Sequence, residues 1–335
     1  MAARAPAFWL QRGPVAQILR PLACLFGALA AQRRRSVQPE RLPLPVIVVG
    51  NIAVGGSGKT PVVDWLASVL RGAGRHPGIV SRGHGGQISA EGRVAMVPRE
   101  GDPVLYGDEP VLLARLTGCP LVIGRDRPAA ARELMRVHPE CDVLIADDGM
   151  QHYRLGRDIE IAVVDEATLG NRLLLPAGPL REPLARLGEV DLVVAHGPLS
   201  LPVREALGSV PTYPMRLHGG ELHALAGPAR QREAVELRGQ RVHAVAGIGR
   251  PQRFFDQLAS EGMVVVPHPF PDHHRFTPGD LAFDEPLPIL MTAKDAVKCA
   301  AFAPDDCWEY PVRAQIGSGA AERILEILED GRTTA

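Results

Sequence analysis

Apolar positions along the chain fall in short blocks separated by helical stretches. From Leu44 to Gly50 the sequence reads LPVIVVG, a β-branched run of the kind a fully buried strand requires; it breaks into a glycine-rich turn and passes into a helical pattern over Thr60 to Arg71. Comparable runs recur at Gly78 to Ser81, Leu121 to Gly124, Asp142 to Asp147, Ile159 to Asp165 and Asp191 to Ala195. Strand runs that alternate with helices predict βαβ units and a mainly parallel sheet. Around residues 211–226 the pattern changes to PTYPMRLHGGELHALA, two short alternating pieces about Gly219-Gly220, which predict a β-hairpin acting as a hinge. Beyond it, Gln240 to Ala246, Gly262 to Pro267 and Leu287 to Thr292 read as strands, with helices near Pro251 to Glu261 and Ala321 to Glu329. The expected organisation is an N-terminal arm over 1–36, a large α/β domain over 37–210, the hinge over 211–226 and a smaller α/β domain over 227–335.

The arm follows a different pattern. Phe8 to Ala31 is apolar but interrupted by Arg12, Pro14, Arg20 and Pro21, so only Pro21 to Gln32 is free of charge. A membrane-crossing helix needs about 20 apolar residues, and none is expected here. No small-residue cleavage site precedes Arg33-Arg34-Arg35, which argues against a secretory leader. The arm reads as an amphipathic helix lying in a membrane interface, with Phe8, Trp9, Ile18, Leu19, Leu22, Leu25, Phe26 and Leu29 toward acyl chains and the arginines toward anionic headgroups. Packing of that helix on the protein's own core is the alternative.

Charge sharpens this division. Residues 1–41 hold seven Arg against Glu40, or +6; since the whole chain carries −1, the remainder is 30 − 37 = −7. An acidic body with a basic arm does not suit nucleic acid, whose partners carry basic residues over the folded surface. It suits a membrane surface. An apolar fraction of 46% over 335 residues fills a substantial core, and 35 Gly with 31 Pro fits many tight strand-to-helix connections. Five scattered cysteines, odd in number and without a CxxC pair, suggest neither a disulfide framework nor a zinc site and fit a reducing cytosol. Only Lys59, Lys294 and Lys298 are lysines, against 37 − 3 = 34 arginines, which marks these three as candidates for chemistry that arginine cannot do.

Lys59 lies in Ala53-Val54-Gly55-Gly56-Ser57-Gly58-Lys59-Thr60, the GxxxxGK[ST] pattern with Ala at its first position. Between a strand and a helix, such a loop wraps backbone N–H groups around phosphate oxygens. The lysine ammonium then bridges the β- and γ-phosphates and the threonine hydroxyl ligates Mg²⁺. The pattern predicts a P-loop NTPase-like fold that takes ATP and Mg²⁺. Downstream, the hydrophobic run Cys141 to Ala146 ends in Asp147 and Asp148, the arrangement that sets an acid beside the Mg²⁺ shell; either carboxylate is a candidate to hold the ion, directly or through water.

VGNIAVGGSGKTP (49–61), SRGHGG (81–86), GDEPVLLA (107–114), DDGMQHYRLGRDIEI (147–161), LLPAGPLREPL (174–184), PDHHRF (271–276) and MTAKDAVK (291–298) together resemble the tetraacyldisaccharide 4'-kinases of lipid A biosynthesis. The similarity runs from the arm into the second domain. It implies an enzyme that transfers phosphate from ATP to the 4'-hydroxyl of tetraacyldisaccharide 1-phosphate, a lipid-linked substrate, at the cytoplasmic face of the bacterial inner membrane, with no obligate protein partner evident. It also implies Asp108 as the base that receives the hydroxyl proton, partnered by a histidine of the DHH run, for which His273 is chosen over His274. Helix N-capping is the alternative for Asp108, and a solvated loop or a metal cluster for the DHH run. Glu109, Arg127, Gln151, His152, Arg181 and Glu182 are implied substrate or phosphate contacts, together with Arg125, and His84 a contact to the nucleotide base. Lys294 is expected either at a phosphate or at a helix cap.

Three positions depart from the family: His84 stands where Tyr is usual, Ser57 where Thr is usual, and Phe26 where the arm often carries Tyr. The rival reading is a membrane-recruited P-loop switch ATPase of the cell-division or partitioning type. Such proteins carry a signature lysine at the position of Val54, and no NKxD motif for guanine occurs anywhere in the chain.

Overall fold

The computed structural model describes residues 6–333. The arm forms α1 (Pro14–Ile18) and α2 (Arg20–Ser36), and the larger lobe begins with β1 (Val46–Gly50), α3 (Lys59–Gly72), β2 (Pro77–Ser81), α4 (Gln87–Ala90) and β3 (Ala95–Met96). It continues through α5 (Pro103–Tyr106), α6 (Asp108–Thr117), β4 (Leu121–Ile123), α7 (Arg127–Val137), β5 (Val143–Asp147), β6 (Ile159–Asp165), β7 (Leu192–His196), α8 (Leu201–Leu207) and β8 (Thr212–Gly219). The smaller lobe contains β9 (Glu221–Ala224), β10 (Gln231–Glu233), β11 (Arg241–Ala246), α9 (Pro251–Ser260), β12 (Val264–Pro269), β13 (Ile289–Thr292), α10 (Ala293–Cys299) and β14 (Cys307–Tyr310). The chain then ends in β15 (Val312–Ile316) and α11 (Ala320–Thr333).

Nine strands make the larger sheet in the order β15-β8-β7-β6-β1-β5-β2-β4-β3, parallel except for β3 and β15 at its edges. Strands β1, β2, β5 and β6 are buried along their whole length, which is why their sequences are unbroken apolar runs. Helix α3 covers one face with Val62, Val63, Leu66, Ala67 and Leu70, all fully buried at helical spacing. Register sets the site: β1 lies between β5 and β6, and Val49 pairs with Asp147, so the loop after β1 and the acids after β5 emerge side by side at the carboxyl edge.

The six-stranded second sheet runs β10-β9-β14-β13-β11-β12 around a core that includes Phe254, Phe255, Leu258, Val242 and Trp308.

Two features of the chain path correct the expected organisation. The segment about Gly219-Gly220 is not a hairpin: β8 pairs with β7 and β15 in the larger sheet, whereas β9 pairs with β10 and β14 in the smaller one. Alternation shows that a strand has two unlike faces but not which sheet it joins, and a Gly-Gly pair serves a crossing as well as a turn. Tyr310 packs against Gly219, where any Cβ would collide with its phenol, so this crossing demands glycine. The smaller lobe also does not extend to residue 335, because β15 and α11 return to the larger one; Ile324 and Leu328 are buried in its core.

Within the arm, Ala16 and Ala23 are buried and Gly27 lies against Leu174, so one face packs on the protein. Its other face exposes Leu10, Val15, Ile18, Leu22, Leu25 and Leu29. Phe8, Trp9, Leu19 and Phe26, also expected toward lipid, are half-buried. Packing on the protein's own core, the alternative reading, therefore holds for one face, and the other is an exposed apolar stripe; Arg4 lies outside the described residues. No helix among the described residues is long and apolar enough to cross a membrane.

Candidate active site

The phosphate loop opens directly from β1. Ala53 bridges to Leu180 and the Val54 N–H donates to the Pro179 carbonyl at 2.9 Å, which anchors the loop's first turn. Gly55 (φ 114°) and Gly58 (φ 89°) adopt the left-handed region that other residues avoid. A Cβ on Gly55 or Gly56 would meet nothing within 4 Å, leaving the open concavity that a phosphate requires. Asn51 braces the loop from inside, donating from Nδ2 to Ser57 Oγ at 3.1 Å and to the Gly55 carbonyl at 3.3 Å.

Lys59 Nζ lies 3.4 Å from Asp148 Oδ1, and Arg181 Nη1 is 3.1 Å from Asp148 Oδ2. Burial opposes ionisation of Asp148, but these two cations outweigh it and hold the carboxyl at about 2. Asp147 behaves oppositely: burial, then the neighbouring Glu109 and Asp148 charges, push it up to about 6, although it accepts a hydrogen bond from Ser81 Oγ at 2.8 Å. A buried carboxylate crowded by like charge is a site that a divalent cation relieves. With the Thr60 hydroxyl one residue after Lys59, this donor set fits Mg²⁺, which commonly takes only one or two protein carboxylates beside phosphate oxygens. Among the described residues no three His, Cys, Asp or Glu side chains form a closed metal cluster, the DHH run included.

Several expected substrate contacts face the protein instead. Arg127 is buried, donating to the Gly124 carbonyl at 2.7 Å and the Asp147 carbonyl at 3.1 Å, and burial draws its guanidinium down to about 10. It underpins the Asp147 strand end. Burial and the Arg127 charge bring His152 down to about 4, so its ring is neutral and its Nε2 accepts from the Arg127 backbone N–H at 3.2 Å. Glu182 is buried between Gln151 (2.6 Å) and Arg186 (3.1 Å). Gln151 also donates to the Asn51 carbonyl at 3.0 Å, and its Oε1 accepts from Arg181 at 3.1 Å, so a continuous polar relay runs from Arg186 to Asp148. Arg125 is exposed.

Opposite the loop stands a second cluster, assembled from both lobes. Asp108, buried at the start of α6, accepts a hydrogen bond from His273 Nδ1 at 3.0 Å. His273 holds a strained positive φ of 57° beside Asp272. Lys294, from α10, reaches Glu109 Oε1 at 3.0 Å, Asp272 Oδ1 at 3.3 Å and Asp108 Oδ2 at 3.9 Å. Burial alone would raise Asp108, but the His273 hydrogen bond and the Lys294 charge hold it at about 2; in return His273 is raised. His274 turns away to Asp280 at 3.3 Å. The exposed His84 ring packs edge-on against His273 with centroids 5.6 Å apart, so it adjoins this cluster.

Two contacts between the lobes had no signal beyond isolated charges in the sequence. Arg253 grips buried Asp165 at the end of β6 through two bonds of 2.6 and 3.0 Å, with Arg250 adding a third at 3.2 Å. Arg115 of α6 pairs with Glu309 of β14 at 2.6 Å. Lys294 was flagged by the rarity of lysine and by the MTAKDAVK run, with a phosphate or a helix cap as its expected place; its three carboxylate partners, which come from distant segments, were not foreseen.

A glycine loop at the carboxyl edge of a parallel sheet, with a lysine and a strand-end acid beside it, defines a P-loop nucleotide-binding protein. Beside that loop the Asp108 carboxylate is held by His273 and Lys294 where the lobes meet. Residues 15–329 match the family described as tetraacyldisaccharide-1-P 4'-kinase. The tetraacyldisaccharide 4'-kinase of Azoarcus sp. (strain BH72) is 64% identical over 99% of this chain and 97% of its own length. That of Aromatoleum aromaticum is 60% identical over the full length of both. Among solved structures, LpxK from Aquifex aeolicus in complex with ATP superposes with a TM-score of 0.76 at 26% identity, covering 94% of this chain and 99% of that one. The chain belongs to the tetraacyldisaccharide 4'-kinase family, ATP-dependent enzymes of lipid A biosynthesis.

Proposed function

We propose that the two lobes enclose Mg·ATP and the disaccharide end of tetraacyldisaccharide 1-phosphate, and that Asp108 receives the proton as the 4'-oxygen attacks the γ-phosphorus. A new P–O bond forms, the bond to the β-phosphate oxygen breaks, ADP departs and the proton passes to the Asp108 carboxylate. The Asp108–His273 pair facing the phosphate loop carries this reading. A carboxyl held near 2 is a weak base, but phosphoryl transfer with a loose transition state removes the proton late, so orientation of the hydroxyl outweighs basicity. The raised His273 balances the charge of Asp108 and, with Lys294, fixes its carboxylate.

Gly55 to Gly58 would cradle the phosphates, with Lys59 moving from Asp148 onto the β- and γ-oxygens. Thr60, Asp147 and Asp148 would hold Mg²⁺, which, when bound, neutralises charge developing on the phosphates. Arg181 and Gln151, half-buried at the edge of the relay, are the residues we assign to acceptor contact; Arg127, His152 and Glu182 act by supporting them.

The exposed apolar stripe of the arm supports peripheral attachment at the cytoplasmic face of the inner membrane, where ATP and a lipid acceptor meet. The lobes, 37–219 with 312–333 and 220–311, would swing about the crossings beside Gly219 and Tyr310. The test supplies γ-labelled ATP and the disaccharide 1-phosphate lipid and follows the label. Recovery in the lipid is expected; release only as free phosphate would return the switch ATPase.

A further inference from the structure

We propose that the loop Gly247–Gly249 of the smaller lobe forms the outer wall of the phosphate-transfer gap, and that buried Asp295 is the positioning residue that holds it there. This inference rests on the kinase reading above and extends it to residues that reading leaves without a role.

Gly249 is exposed, yet it sits between the two halves of the site. A Cβ built on it would stand 4.0 Å from the backbone nitrogen of Gly56 in the phosphate loop and 3.5 Å from Asp272 Oδ2, the residue beside His273. Two residues earlier the same loop is tied down from behind: the Gly247 N–H donates to Asp295 Oδ2 at 2.8 Å, and a Cβ on Gly247 would lie 3.1 Å from Asp295 Oδ1. Asp295 is fully buried and also accepts from Thr292 Oγ1 at 2.7 Å. Its charge is matched by Lys298 at 2.6 Å, whose ammonium also lies over the Phe276 ring. The run MTAKDAVK thus divides its labour. Lys294 faces the carboxylates of the transfer site, while Asp295 and Lys298, rigid in the interior, hold the loop against the gap. A buried, charge-balanced carboxylate anchoring a backbone N–H is costly to build for shape alone and well suited to fixing one backbone position. On the far side of the loop, Arg250 and Arg253 clamp the start of α9 to Asp165, so both flanks of the wall are held.

The wall discriminates by occupancy of the terminal phosphate. Gly249 lies outside the left-handed region and its Cβ position is at ordinary contact distance, so side chains are accepted there without backbone strain. In titrations of the full-length protein, Gly249→Leu is expected to weaken ATP by about tenfold or more and ADP by less than about threefold, with Gly249→Ala between Leu and wild type. Asp295→Asn keeps an acceptor for the Gly247 N–H but unbalances Lys298. It is expected to shift the ATP to ADP affinity ratio in the same direction by about threefold to tenfold. Equal loss for both nucleotides, or no change for either, overturns the wall. If Asp295→Asn fails to fold, Thr292→Val removes one of its hydrogen-bond donors and is read on the same ratio; an unchanged ratio overturns the positioning role. Wild-type protein is assayed alongside for label transfer into lipid. Absence of transfer there would sink the kinase reading, whereas an unchanged ratio with active wild type sinks only this inference.

Discussion

The phosphate loop and the Asp108 cluster face each other across one gap but are built in opposite ways. The loop is local: one contiguous stretch from Gly50 to Thr60, braced by Asn51 and underlain by β1 and α3, has its shape within the larger lobe alone. The cluster is remote, because Asp108 and His273 are separated by 165 positions and meet only because the smaller lobe lies over the larger. The backbone of the phosphate loop therefore has its shape without the second lobe, whereas the groups assigned to activate the acceptor depend on how the lobes sit. A kinase built this way assembles its transfer groups, and excludes water from them, only when both lobes are in place.

The largest effect is expected at the local half. Lys59→Met should lower kcat/KM by about 10⁴ or more and raise the KM for ATP, measured by label transfer into lipid, because the loop loses its own ammonium and the neighbouring Arg181 is held by Asp148 and Gln151. At the remote half, Asp108→Asn should lower kcat by about 10² to 10⁴ while nucleotide affinity stays within about twofold. If ATP binding falls with kcat, Asp108 belongs to the metal shell and the division between the halves breaks down.

His273→Gln should be milder, about tenfold to a hundredfold in kcat, since Asp108 keeps Lys294 nearby. It also sharpens the picture through pH. His273 is raised above the ordinary imidazole value of 6.5 by its bond to Asp108, so its contribution to stability is complete below that value and is lost as pH rises through the raised one. The difference in denaturation midpoint between wild type and His273→Gln should therefore be greatest in mild acid and shrink toward alkaline pH; a difference that grows on the alkaline side contradicts the pairing. Smallest for the chemistry is the arm. Replacing exposed Ile18, Leu22 and Leu25 by serine should leave kcat on a detergent-dispersed acceptor within about twofold while lowering sedimentation with anionic vesicles by about tenfold or more.

This contrast also explains what the sequence disclosed. Groups within one run, such as the glycines of the loop, Lys59, Thr60 and the Asp147-Asp148 strand end, were readable because their chemistry needs that spacing in the chain itself. The Asp108 and His273 partnership came only from likeness to a family, since nothing in spacing joins residues from two lobes. Side-chain direction was not legible: Arg127 and Arg181 look alike in the sequence, yet one turns inward to carbonyls and the other outward to Asp148. Sheet membership was equally hidden. The alternation at residues 212–224 was visible, but the return of β15 to β8, which separates the two pieces into different sheets, is a pairing across nearly a hundred positions.

That return has a consequence for how the molecule is assembled. Gly219 and Val312 are partners in the same antiparallel ladder, so everything from 220 to 311 is an insert whose two ends leave and rejoin at one point. Splicing those neighbours with a tight turn would preserve every strand of the nine-stranded sheet and yield a minimal ATP-holding protein without an acceptor side. During synthesis, conversely, the nine-stranded sheet stays open at its β15 edge until residues 312–316 emerge, so the insert before them has time to fold before the frame that carries it is closed.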